Sequence, residues 1–155
     1  NISPGRSWRA SMQINGEWVL FSDGVERPVM RGEVLASDGS WVRVPFLVDT
    51  GADRTVFSAG MLTLLRLPPV VAQHRLGGLG GMVNAVLITT QIRLTREDAG
   101  KVVFRSQYAA VTDMEALDIS VLGRDLTSLL AVIVDRPRQV VCLLGQRHRY
   151  TIEQV

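Results

Sequence analysis

The sequence has one cysteine, two histidines, no long apolar run and almost no excess of either charge. Cys142, the single thiol, lies in the apolar run VVCLL, so it reads as a small buried residue and no disulfide can form within the chain. His74 and His148 stand far apart without ligand-like neighbours, which argues against zinc; neither a metal nor a cofactor is expected. Lys and Arg number 17 against 15 Asp and Glu, a formal net charge of +2, too slight to draw in nucleic acid. No apolar stretch reaches the length that spans a bilayer, and the start, NISPGRSWRA, lacks the charged-then-apolar layout of a signal peptide. These absences set the expectation of a cytoplasmic protein, with an anchor or signal upstream of Asn1 left open because the chain does not begin with Met.

What is there is apolar material. Of 155 residues, 46% are hydrophobic, enough to give one domain a real core. Residues 1–28 are turn-rich, with only SMQI and EWVLF strand-like, and read as an arm or peripheral hairpin ahead of a main unit over 29–155. VMRGEVLA and WVRVPFLV flank the turn SDGS as a hairpin does, and Pro45 argues for an edge or irregular position in the second strand. AGMLTLLR predicts a short helix capped by Ser58 and stopped by Pro68 and Pro69. QHRLGGLGGMVNAVLITTQIRL predicts a long hairpin around GGLGG, with Val86, Ile88, Ile92 and Leu94 alternating with mostly polar residues. KVVFRSQYAAV, AVIV, RQVVCLL and RYTIE read as further strands and RDLTSLL as a second short helix, so the fold class is mainly β. PFLVDTGADRT and DISVLGRDLT share one layout, an apolar strand, a tight glycine turn and a short helix-like piece, which hints at an internal pseudo-twofold.

The stretch VPFLVDTGADRTVFS carries the chemistry. Asp49 follows Val44, Phe46, Leu47 and Val48, where a carboxylate loses water and is costly unless it is used. Asp-Thr-Gly by itself usually marks a turn. At the end of a buried strand, however, it can aim the acid out of the sheet, and Gly51, lacking a Cβ, brings its own N–H close to that acid.

FLVDTGADRTVFS, HRLGGLGGMVN and ISVLGRDL, in that order between about Val42 and Leu130, resemble the active-site loop, flap and Gly-Arg-Asp/Asn segment of retropepsin-like aspartic proteases. The resemblance implies a closed β-barrel-like domain with a flap hairpin and one or two short helices. It implies that Asp49 is the catalytic aspartate, that the Thr50 hydroxyl bonds to an opposing loop, and that Gly51 supports the carboxylate through its backbone. Ala52, Asp53 and Arg54 would line the substrate groove, with Gly78, Leu79 and Gly80 closing over it from the flap. Gly123 would let the chain pass close behind the loop, and Arg124 would pair with Asp53 as structural support. Arg54, near a side-chain pocket, suggests some preference for acidic or polar groups.

Such proteases need two carboxylates sharing one proton, and this chain has one. Ser22-Asp23-Gly24 and Ser37-Asp38-Gly39 are S-D-G turns, and the pseudo-repeat has Gly123 where a second aspartate is needed. A homodimer with Asp49 facing Asp49 is the simplest solution, giving an endopeptidase for polypeptide substrates. The alternative is a dimeric peptide-binding scaffold of the same fold without useful turnover; a third reading has the amino-terminal arm occupying the groove until it is cut. The resemblance is weak at both ends of the chain, where the retroviral enzymes build much of their interface.

Other features read more plainly. GGLGG lacks the Lys-Ser/Thr of a phosphate loop and leads into a strand. Asp113, Glu115 and Asp118 lack the glycine alternation of a calcium loop. Arg136, Arg138, Arg147 and Arg149 decorate exposed turns.

Overall fold

The computed structural model describes residues 12–78 and 80–145. The expected strand RYTIE, His148, Arg147, Arg149 and Leu79, expected in a flap, lie outside the described residues. In chain order the elements are β1 (Gln13–Asn15), β2 (Glu17–Leu20), β3 (Glu26–Leu35), β4 (Trp41–Val48), β5 (Val56–Phe57), α1 (Ala59–Leu65), β6 (Val71–Gly78), β7 (Gly81–Thr95), β8 (Lys101–Val111), β9 (Ser120–Leu122), α2 (Arg124–Thr127), β10 (Ala131–Asp135) and β11 (Val140–Leu144). The larger sheet runs β2-β3-β4-β9-β5-β8-β7-β6, and an extra β3–β7 pairing joins two of its distant strands. That pairing closes β3, β4, β9, β5, β8 and β7 into a barrel and leaves β2 and β6 outside the ring. Within the ring closure gives every strand a neighbour on both sides, and only β2 and β6 remain as edges.

The two hairpins follow from local pattern. β3 and β4 pair antiparallel from Leu35↔Trp41 to Val29↔Leu47, with Val34, Val44, Phe46 and Val48 turned into the core by strand alternation. Gly39 takes the turn at φ +84°, a backbone region that glycine enters without a Cβ penalty. Inside the barrel Phe57 stands between Phe46, with ring centroids 5.8 Å apart, and Tyr108, 6.0 Å away and edge-on. Such tilted aromatic contacts add to the burial of the rings themselves.

Several expectations are refined. Pro45 lies on an internal strand of the barrel, between β3 and β9. The ring is tolerated because β9 pairs only with Phe46, Leu47 and Val48, so at Pro45 the strand has a partner, Arg31, on one side alone. Residues 85–88 of β7 are buried without interruption, and the alternation resumes only from Thr90 to Leu94. Finally, the segment before β3 is split between two sheets. β2 makes a hairpin with the first part of β3, whereas β1 leaves for β11, and Ile14, 1% exposed, belongs to the core. Gly16 permits the split: a Cβ there would sit 2.5 Å from the Val29 carbonyl oxygen.

α1 begins where the Ser58 hydroxyl accepts a hydrogen bond from the Met61 N–H at 3.3 Å, satisfying a first-turn donor. It ends at Arg66, in the left-handed region at φ 52°, before Pro68 and Pro69. Ser58→Ala is expected to lower stability by about 1 kcal/mol, read as a shift in the urea midpoint. The predicted second helix is shorter, four residues of α2, because the turn bonds from Leu129 N–H to Leu126 and from Leu130 N–H to Thr127 tighten its end.

Candidate active site

β4 and β9 run parallel, side by side, through Phe46↔Ser120, Leu47↔Val121 and Val48↔Leu122. The chain turns sharply after each strand, at Asp49-Thr50-Gly51 and at Gly123-Arg124-Asp125. The two turns are tied together by backbone bonds. Asp49 N–H donates to Leu122 C=O at 3.2 Å, Arg124 N–H to Ala52 C=O at 2.8 Å, and Asp125 N–H to Asp53 C=O at 3.1 Å.

Asp49 therefore sits where a buried strand emerges, and it is half-buried rather than sealed in apolar surroundings. Its Oδ1 accepts from the Gly51 N–H at 2.9 Å, a charge-assisted bond that fixes the carboxylate's orientation. Thr50 is exposed, and its carbonyl oxygen accepts from Arg124 Nη1 at 2.8 Å; its hydroxyl has no hydrogen bond among the described residues. Arg124 Nη2 also ion-pairs with Asp53, so one guanidinium holds both flanks of the turn.

Behind the turn lies a network that the sequence did not single out. Thr55 is fully buried, and its N–H donates to both oxygens of Asp125 at 2.9 Å. Its hydroxyl donates to Asp125 Oδ1 at 2.7 Å and accepts from the Gly123 N–H at 3.1 Å. Ser120 Oγ accepts from the Ser58 N–H at 3.0 Å. A Cβ on Gly123 would lie 2.3 Å from the carbonyl carbon of Arg54, so only glycine fits there. Tyr108, packed under the same region, donates to Phe104 C=O at 3.0 Å. Its hydroxyl pKa is pushed up to about 12, first by burial and then by the Asp125 carboxylate.

The β6/β7 hairpin overhangs the turn. One cavity of about 460 Å³ is lined by Asp49, Ala52, Gly78 and Gly80 together with apolar side chains. A second, about 670 Å³, is lined by Asp49, Gly51, Ala52, Asp53, Arg54 and the strand His74 to Gly78. Gly81, at φ +101°, makes the hairpin's return. Of the sequence-derived candidates, Asp49, Gly51, Ala52, Asp53, Arg54, Gly78 and Gly80 thus meet around one cleft, while Gly123 and Arg124 stand behind or beside the turn. His74 and Arg75 were missed as lining residues because β6 carries an irregular register between Val71 and His74 and shows no alternation to read.

The model of a family described as aspartyl protease matches residues 35–126, more than half of the chain, from the last residue of β3 into α2. The chain belongs to the aspartyl protease family. The matched region contains the Asp-Thr-Gly turn, the β6/β7 hairpin and the Gly-Arg-Asp turn. Among solved structures, a retropepsin-like aspartic protease from Rickettsia conorii is 19% identical, with a TM-score of 0.52 over 86% of this chain and 98% of that one. EIAV protease complexed with the inhibitor HBY-793 is 22% identical, with a TM-score of 0.44 over 71% of this chain and 92% of that one. The fold of this family member is retropepsin-like, the mainly β barrel that the motifs imply. A comparison with curated protein sequences gave no match. Among the described residues no helix is long and apolar enough to cross a membrane, and no cluster of His, Cys, Asp and Glu could hold a metal ion.

Proposed function

We propose that this protein is an aspartic endopeptidase that works as a symmetric homodimer, with the Asp49 carboxylates of two chains forming the catalytic dyad. The observation that carries this reading is the isolation of Asp49. Among the described residues the only other carboxylate lining the cleft is Asp53, and it is occupied by Arg124. The chain offers one oriented acid under a glycine-rich hairpin and needs a second from elsewhere.

In the dimer, the ionised aspartate takes a proton from a bound water as that water attacks the peptide carbonyl, and the protonated one hydrogen-bonds the carbonyl oxygen. No covalent intermediate forms. The Thr50 hydroxyl, exposed beside the acid, bonds to the opposing turn and holds the two loops in register. Gly78 to Gly80 descend over an extended polypeptide and pair with its backbone as a strand would.

A dyad that must keep a single proton fails when both groups are protonated and again when both are ionised. Cleavage of a fluorogenic peptide is therefore expected to trace a bell against pH whose two limbs belong to the pair. Peptide binding without turnover at any pH would point instead to a scaffold.

A further inference from the structure

The two cavities differ in chemistry. The smaller is walled by Val56, Leu76, Val83, Val111, Leu117 and Val121. The larger shares Asp49, Ala52, Val56, Leu76, Gly77 and Gly78 with it but adds Asp53, Arg54, His74 and Arg75. On β6, His74 lies two residues from Leu76 and so shares a side with a residue that lines both cavities, while Arg54, in the bend before β5, lines only the larger. Arg54 from the active-site turn and the half-buried His74 from β6 thus flank the same end of the cleft, with Arg75 beside them on the strand.

Positive charge exceeds negative at that end. Asp53, the one acid there besides Asp49, pairs with Arg124. Neither Arg54 nor Arg75 makes an ion pair among the described residues, whereas Arg27, Arg31, Arg93, Arg96, Arg124 and Arg136 all do.

We propose that this outer cavity is a subsite for a carboxylate side chain, so that the enzyme selects peptides carrying Glu or Asp at a position flanking the scissile bond. The inference rests on the peptidase reading and names the substrate class that the reading left open. The guanidinium of Arg54 presents a planar donor fork that matches a carboxylate and stays charged at any working pH, and the His74 ring offers a further polar contact from the flap side. A two-fold axis through the dyad duplicates the cavity, which places acidic preference at two positions on opposite sides of the cut.

The test is binding to the Asp49→Asn protein, which reads the subsite without turnover. Labelled peptides in which one Glu is walked through a neutral sequence are compared with Gln at the same places by fluorescence anisotropy. Glu is expected to bind about five- to tenfold more tightly than Gln at one position or a symmetric pair, with the advantage shrinking in high salt. Arg54→Ala should remove most of it, His74→Ala part of it, and Arg54→Glu should transfer the preference to Lys. A flat scan, or a Glu preference that survives Arg54→Glu, overturns the subsite. Loss of the peptidase reading looks different: wild-type protein that cuts no peptide in the set while the Glu preference persists.

Discussion

Wild-type protein titrated with Asp49→Asn chains, at fixed wild-type concentration and with substrate in large excess, is expected to lose activity although nothing has been removed. If chains exchange freely between dimers, the share of wild-type chains paired with another wild-type chain equals the wild-type fraction. Activity should then fall to about half at equal amounts and to about a tenth at ninefold excess. The loss reflects a mixed dimer in which the water meets only one aspartate, a defect worth at least about a hundredfold in rate. A peptidase that completed its dyad within one chain would keep full activity at every ratio, and that result would end the homodimer proposal. The isolation of Asp49, with Asp53 held by Arg124, is the reason to expect the fall.

Gly123→Ala is expected to be among the most damaging single substitutions. The added methyl would lie 2.3 Å from both the carbonyl carbon and oxygen of Arg54 and 2.8 Å from the Thr55 nitrogen. All three atoms are backbone, so no side chain can swing aside. Relief requires moving apart the two turns that hold the acid, at a cost of roughly 3 kcal/mol. Asp125→Ala attacks the same junction chemically. It strips the acceptor from the Thr55 N–H and hydroxyl, leaving buried donors unpaired at about 2 kcal/mol or more. Asp125→Asn keeps one acceptor oxygen and should recover part of that. Urea midpoints order the variants, and an unchanged midpoint for Gly123→Ala would contradict the packing described.

The parts legible in the sequence were those set by neighbours along the chain. The β3/β4 and β6/β7 hairpins, the Ser58 cap and the strand ending in Asp49 each follow from periodicity, turn residues or a local side chain. The quoted motifs also led to the residues around the cleft. What escaped was set by contacts between distant segments. The strand in DISVLGRDLT was legible as β9, but its three residues carry no sign of the parallel place beside β4 that decides why Pro45 is tolerated and what holds the turn. Thr55 and Asp125, 70 residues apart, look like ordinary polar positions until the barrel closes and buries their contact. The departure of β1 to β11 was hidden for the same reason, since strand pairing across most of a chain leaves no mark in either strand alone.

That long reach has a consequence for synthesis. The turn bearing the acid is completed by groups that leave the ribosome some 70 residues later, so Asp49 spends the first part of its life without the scaffold that orients it. Contacts between such remote segments also form slowly. The oriented turn is thereby postponed until most of the barrel has been made, so the proposed dyad could assemble only from chains that have already folded.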